Sequence, residues 1–117
     1  MPVNITTLKN RADFLRLRNG RKFTTPYFII RAAPSDVVGQ LGARVGYTVT
    51  TKCGNAVLRN RTKRRLRALV GEIFPQSAKA GYDYILVALD KAKPNAADAV
   101  YDDLRAAMNR AITGVHR

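Results

Sequence analysis

Between Arg44 and Leu89 the hydrophobic pattern changes its period twice, and those two changes constrain the fold more than any other feature. In "RVGYTVTTK", residues 44–52, Val45, Tyr47, Val49 and Thr51 alternate with Gly46, Thr48, Thr50 and Lys52, the period of a half-buried strand. "CGN", 53–55, then supplies a turn and an asparagine N-cap, opening a helix from about Ala56 to Ile73 that Pro75 must end nearby. "GYDYILVAL", 81–89, is a continuous apolar run bounded by Gly81 and "DKAKPN", which favours a central strand over so short a helix. A strand–helix–strand unit of this length can cross over between parallel strands, and its hand is not readable from the residues.

The flanking segments complete the pattern. Thr6 or Thr7 as N-cap, Leu8, Ala12 and Leu15 at helical spacing, and Asn19-Gly20 as a stop predict a first helix. "FTTPYFIIRAA", 23–33, is rich in strand-forming residues, with the strand interrupted or started at Pro26, and "PSDVVGQLG", 34–42, reads as a loop. Asn95 and Asp98 resemble a capping pair before a last helix, 96–112, with Ala97, Val100, Tyr101, Leu104, Met108, Ala111 and Ile112 toward the core. The 117 residues suit one domain, 1–117. The expected fold is an α+β two-layer sandwich in the order α-β-β-β-α-β-α, with a central mixed sheet covered by helices on one side.

On a helical wheel Leu58, Thr62, Leu66, Leu69, Val70 and Ile73 form a stripe about 120° wide that can dock on the sheet. The other surface carries Arg61, Lys63, Arg64, Arg65 and Arg67, with Arg59 at its margin: six cations in the nine positions 59–67. The next anion after Asp36 is Glu72, so neither this face nor the strand before it supplies neutralising carboxylates. With 46% hydrophobic residues the net charge of +13 belongs to a folded surface, and its self-repulsion calls for a polyanionic partner. Arginine outnumbers lysine five to one in the patch, and a planar guanidinium holds phosphate bidentately and stacks on bases.

Other chemistries find little support. No run of about 18 apolar residues or signal-like N-terminus is present, and the stripe is needed against the sheet, so a cytoplasmic protein with no membrane role is expected. A single cysteine, Cys53, excludes an intramolecular disulfide or a multi-thiol zinc site. For a protein nuclease the inventory is His116 near the end and Asp98, Asp102 and Asp103 in the first half of a helix, where the dipole favours anions anyway. No catalytic or metal-ligating residue is assigned, because the carboxylates do not converge. A helix-turn-helix is disfavoured by the strand and glycine turn before the basic helix. A basic ribosomal or tRNA-binding structural protein would share the charge, size and arginine bias.

"GYTVTTKCGNAVLRNRTKRRLR", 46–67, resembles the signature of the protein subunit of bacterial ribonuclease P, with Gly54-Asn55-Ala56-Val57, Arg59-Asn60-Arg61, Lys63-Arg64 and Leu66-Arg67 in the "RNR" region. Leu8, Asp13, Phe14 and Gly20 look like the family's first helix and its exit, and 82–88 like its last strand. The resemblance implies a left-handed crossover and assistance to a catalytic RNA that removes the 5′ leader from precursor tRNA, with the active site made of RNA and magnesium ions and no cofactor assigned to the protein. It implies that Arg59, Asn60, Arg61, Lys63, Arg64, Arg65 and Arg67 face the RNA subunit in a 1:1 ribonucleoprotein. A cleft between the first helix and the exposed sheet face would hold the leader through Phe14, Arg18, Tyr27, Arg31 and Lys52. Arg18 and Arg31 stand where family members often carry aromatics, so guanidinium stacking and phosphate contact would replace ring stacking there. Tyr27 and Phe28 alternate in direction, which leaves open which one faces the cleft.

Overall fold

The computed structural model describes residues 2–50, 54–89 and 99–116. In chain order the elements are β1 (Ile5–Thr7), α1 (Arg11–Leu17), β2 (Arg21–Thr24), β3 (Phe28–Pro34), β4 (Ala43–Val49), α2 (Ala56–Ser77), β5 (Tyr82–Ala88) and α3 (Ala99–Gly114). The strands form one 5-stranded sheet in the order β1-β4-β5-β3-β2. β1, β4 and β5 run parallel, and β3 and β2 are added antiparallel, so the sheet is mixed, as expected.

α2 joins the parallel neighbours β4 and β5 and packs on the sheet face that also receives α3. Its start is fixed locally. Gly54 has φ +104, a region open mainly to glycine, and the Asn55 side chain accepts the Leu58 N–H at 3.0 Å. Thr62, Leu66, Leu69, Val70, Ile73 and Phe74 are buried, and the Thr62 hydroxyl donates to the Leu58 carbonyl at 2.9 Å, so the one polar group on the stripe is satisfied. The helix passes the expected end at Ile73 and takes Pro75 into its last turn. Opposite the stripe stand Phe28, Ile30, Val45, Tyr84 and Leu86 from the sheet and Leu104, Met108 and Ile112 from α3. Glu72 accepts the Arg105 Nε–H at 2.8 Å and ties α2 to α3. α3 runs on to Gly114, while Asn95, Ala97 and Asp98 lie outside the described residues.

The N-terminal third departs from expectation. Thr6 and Thr7 are not N-caps; they belong to β1, a short edge strand paired with β4 through Ile5↔Ala43 and Thr7↔Val45. α1 instead begins after Asn10, whose Oδ1 accepts the Ala12 N–H at 2.9 Å. Its inward residues are Asp13 and Leu17, whereas Ala12 is exposed and Leu15 is 45% exposed. The helices do not cover one side only. α1 lies on the other face, where Leu8, Leu17 and Ile85 form a second small core with Phe14, Ala33 and Val87. Pro26 does interrupt the strand. Thr25 Oγ1 accepts the Phe28 N–H at 3.0 Å across the turn between β2 and β3, and Phe28 enters the main core.

Replacing Leu66, at the centre of the main core, by alanine is expected to lower unfolding free energy by about 2–5 kcal/mol, whereas Arg64→Ala on the exposed face changes it by less than about 0.5 kcal/mol. Urea denaturation of the two variants checks the contrast.

Candidate nucleic-acid interface

The outer face of α2 carries Asn60, Arg61, Arg64 and Arg67 exposed and Arg59, Lys63 and Arg65 half-buried. The buried stripe fixes this set in orientation, because rotating the helix would expose Leu66 and Leu69. Arg67 lies over the Tyr47 ring with 5.6 Å between its guanidinium carbon and the centroid, which pins its stem to the sheet edge. Burial, only partly offset by Arg67, pushes the Tyr47 hydroxyl up to about 12, so this ring brings no negative charge to the patch. Among the described residues, Arg59, Arg61, Lys63, Arg64 and Arg67 have no carboxylate within ion-pair distance, since Glu72 is engaged by Arg105.

The second surface is a groove of about 570 Å³ on the opposite face of the sheet. One wall is α1, which contributes Arg11, Phe14, Leu15 and Arg18, residues on one helical face by their i, i+3, i+4, i+7 spacing. The floor is Thr48 of β4, Ile85 and Val87 of β5, and Ile29 and Arg31 of β3. Register explains the floor, because Gly46, Ile85 and Arg31 form one cross-strand row and Thr48, Val87 and Ile29 the next. Gly46 has to be bare: a Cβ there would come within 2.6 Å of the Phe14 ring. The Arg31 guanidinium donates to the Arg18 carbonyl at 2.8 Å, bridging floor and wall at the end of α1. The groove lies toward the sheet end where β4 and β5 finish, the same end from which the chain enters α2.

Of the residues expected in the cleft, the groove therefore unites Phe14, Arg18 and Arg31. Lys52 lies outside the described residues. Tyr27 is a correction: it precedes β3 on the side of α2 and α3, packs at the margin of the main core, and its hydroxyl donates to Asp103 of α3 at 3.3 Å. Arg11, Leu15, Ile29 and Thr48 were missed. Their signals were the shared helical face with Phe14 and Arg18 and the outward half of the strand alternation.

What holds the wall in place is an ion network that local sequence does not announce. Asp83, with 0% exposure, accepts from Arg44 Nε at 2.8 Å and Nη2 at 2.6 Å, from Gln40 Nε2 at 3.3 Å, and from Arg16 of α1. Arg16 also reaches Asp13 at 3.2 Å and the Pro34 carbonyl at 2.7 Å. Burial alone would raise the Asp83 pKa, but the hydrogen bonds from Arg44, Arg16 and Gln40 outweigh it and hold the carboxyl below the usual range. Asp13, Asp36 and Asp83 come within 4.8 Å of one another, yet Arg16 and Arg44 sit between them, which makes the cluster a salt-bridge hub and a poor cation site.

Of the residues weighed for a protein-encoded nuclease, Asp98 lies outside the described residues and the others have separate partners. Asp102 pairs with Arg105 at 3.0 Å and Asp103 meets Tyr27. His116 is not loose at the chain end: its Nε2 lies 2.6 Å from the Tyr84 hydroxyl, which accepts the Lys79 N–H. Burial first, then the charges of Lys79 and Arg21, lower the His116 pKa from its ordinary value.

A five-stranded sheet with an arginine-rich helix on one face and a cation-edged apolar groove on the other defines a nucleic-acid-binding α+β protein. The family model for ribonuclease P matches residues 4–112. The ribonuclease P protein component of Paramagnetospirillum magneticum is 40% identical over 113 residues, covering 94% of this chain and 85% of the relative, and that of Erythrobacter litoralis is 39% identical over 107 residues, covering 92% and 86%. A Staphylococcus aureus RNase P protein mutant with defective mRNA degradation activity superposes with TM-score 0.73 at 26% identity, covering 90% of this chain and 86% of that one. The RNase P protein from Thermotoga maritima superposes with TM-score 0.70 at 25% identity, covering 89% and 96%. The chain belongs to the ribonuclease P protein family.

Two acid transitions follow from the depressed pKa values. The stability contributed by neutral His116 is full above about pH 6.5 and falls as pH drops through its lower folded value; that of Asp83 is full above about pH 4 and falls below it. Urea midpoints measured across pH should therefore decline in two steps, with Asp83→Asn removing the second while lowering stability at pH 7 by up to about 3 kcal/mol.

Proposed function

We propose that this chain is the RNA-binding subunit that assists the catalytic RNA of ribonuclease P in removing the 5′ leader of precursor tRNA, with the α2 surface docked on that RNA and the groove holding the leader. The observation that carries the assignment is the pair of separate cationic surfaces that converge at one sheet end, one arginine-rich and convex, the other concave with an aromatic ring. Docking through Arg59, Asn60, Arg61, Lys63, Arg64, Arg65 and Arg67 uses guanidinium forks on phosphates, while Asn60 can read a base edge or an ordered water.

In the groove, Phe14 stacks on a base without regard to its identity, as a varied set of leaders requires. Arg11, Arg18 and Arg31 meet the backbone around it, and Lys52, a few residues beyond Thr48 in the chain, adds a further phosphate contact. The apolar floor of Ile29, Ile85 and Val87 favours an unstacked single strand over a duplex, whose bases are hidden. Cleavage of the phosphodiester bond belongs to the RNA and its magnesium ions, and the protein acts by raising local substrate affinity and screening phosphate charge. One protein per RNA is the stoichiometry that a single α2 surface suggests.

Reconstitution tests this. The purified protein alone should leave precursor tRNA intact, and adding it to the family's RNA subunit at low magnesium should raise leader cleavage; no stimulation would overturn the assignment. Arg59→Ala, Arg61→Ala and Arg64→Ala combined should weaken RNA-subunit binding and make the slope of log K against log salt shallower by about 2–3, one phosphate contact each. Circular dichroism should remain unchanged.

A further inference from the structure

Resting on the assignment of the groove to the leader, we propose that Asp83, Arg44 and Gln40, none of which lines the groove, are positioning residues that set its width and thereby the preference of the complex for precursor over mature tRNA. α1 is only 7 residues long and crosses a sheet face that, among the described residues, no other helix covers. Three of its residues and its C-cap Arg18 form the groove wall, and its apolar anchorage is confined to Leu17 and the inner edge of Phe14. What fixes its position along the strands is polar. Arg16, on the side of the helix away from the groove, reaches Asp83, Asp13 and the Pro34 carbonyl at once.

Asp83 is in turn held by the Arg44 fork and by Gln40, whose Nε2 also donates to the Gly42 carbonyl at 3.1 Å and whose Oε1 accepts from the Ser35 hydroxyl at 2.7 Å. The loop between β3 and β4 is thus locked to the same carboxylate as α1. Asp83 and Ile85 project from β5 on one face, so the hub and the groove floor share a strand. Loosening the hub lets α1 slide or tilt over Ile85, and Phe14 and Arg18 move with it. A side chain held about 1 Å out of place is enough to lose most of an oriented contact.

The test uses the assembled protein–RNA complex and compares Arg44→Lys, which keeps the charge but loses the fork, Gln40→Ala, and Phe14→Ala as the groove control. Measured quantities are the affinities for precursor tRNA and for mature tRNA, and the affinity of the protein for the RNA subunit. The expected result is a fall of about threefold to tenfold in the precursor-to-mature affinity ratio for Arg44→Lys and for Gln40→Ala. RNA-subunit affinity should stay within about twofold, a separation that general destabilisation would not produce. If Phe14→Ala lowers the ratio while Arg44→Lys and Gln40→Ala leave it unchanged, or lower both affinities together, the positioning role is overturned and the groove assignment stands. If Phe14→Ala leaves the ratio unchanged, the groove assignment itself fails and the positioning role with it.

Discussion

Eight carboxylates stand against 21 lysines and arginines in this chain, and where those few anions are placed decides what the rest of the surface does. Among the described residues each one has a task inside the fold. Asp13, Asp36 and Asp83 gather Arg16 and Arg44 and thereby hold α1 on the sheet. Glu72 holds α3 on α2 through Arg105, which Asp102 also engages from within α3, and Asp103 meets Tyr27 at the end of the turn between β2 and β3. Among the described residues, Arg59, Arg61, Lys63, Arg64 and Arg67 on α2 and Arg11, Arg18 and Arg31 around the groove are spared these carboxylate pairs. A charge imbalance that would weaken an isolated domain is thus arranged as a binding surface, with internal ion pairs fastening the elements that carry it.

The two faces of the sheet divide the work in a way that the ladder register enforces. Phe28, Ile30, Val45, Tyr84 and Leu86 point toward α2 and α3 and make a core deep enough to fix the basic helix in rotation. The alternate residues Ile29, Arg31, Gly46, Thr48, Ile85 and Val87 point the other way, where α1 covers part of the face and leaves the rest as groove floor. A one-residue slip of β3 would exchange its two sets, placing Arg31 in the core and Phe28 in the groove. Burial therefore specifies the α2 surface and the groove as firmly as it specifies the fold.

Much of this was legible in the residues. α2 combined an Asn cap after a glycine turn with an apolar stripe, and both signals are local. β5 was legible as an apolar run between turn formers, and Pro26 as the break between β2 and β3. β1 was not, because three edge residues pairing with β4 from far along the chain leave no periodic trace. α1 was placed too early because Thr6 and Thr7 are good caps in isolation and the competing claim of a parallel strand is non-local. Its inward face was misjudged because the inward group at position 13 is a carboxylate, buried beside Arg16 of the same helix and Arg44 of the distant β4. A hint was present: Asp83 stands alone as a charge within "GYDYILVAL", and a charged residue in a central strand demands a partner. Of the site, the cations of α2 and the trio Phe14, Arg18 and Arg31 could be named in advance. Tyr27 could not be oriented, since it belongs to the turn and not to the strand alternation.

The central claim is that one sheet presents two different RNA-binding surfaces to two different RNAs. Site-specific photo-crosslinking in the assembled complex tests it most directly, with a photoreactive phenylalanine in place of Leu15, which faces the groove at 45% exposure, and separately in place of Arg64 on α2. The account predicts crosslinks from position 15 to the leader of precursor tRNA and from position 64 to the RNA subunit. Crosslinks from both positions to the same RNA, or none from position 15 to the leader, would contradict it.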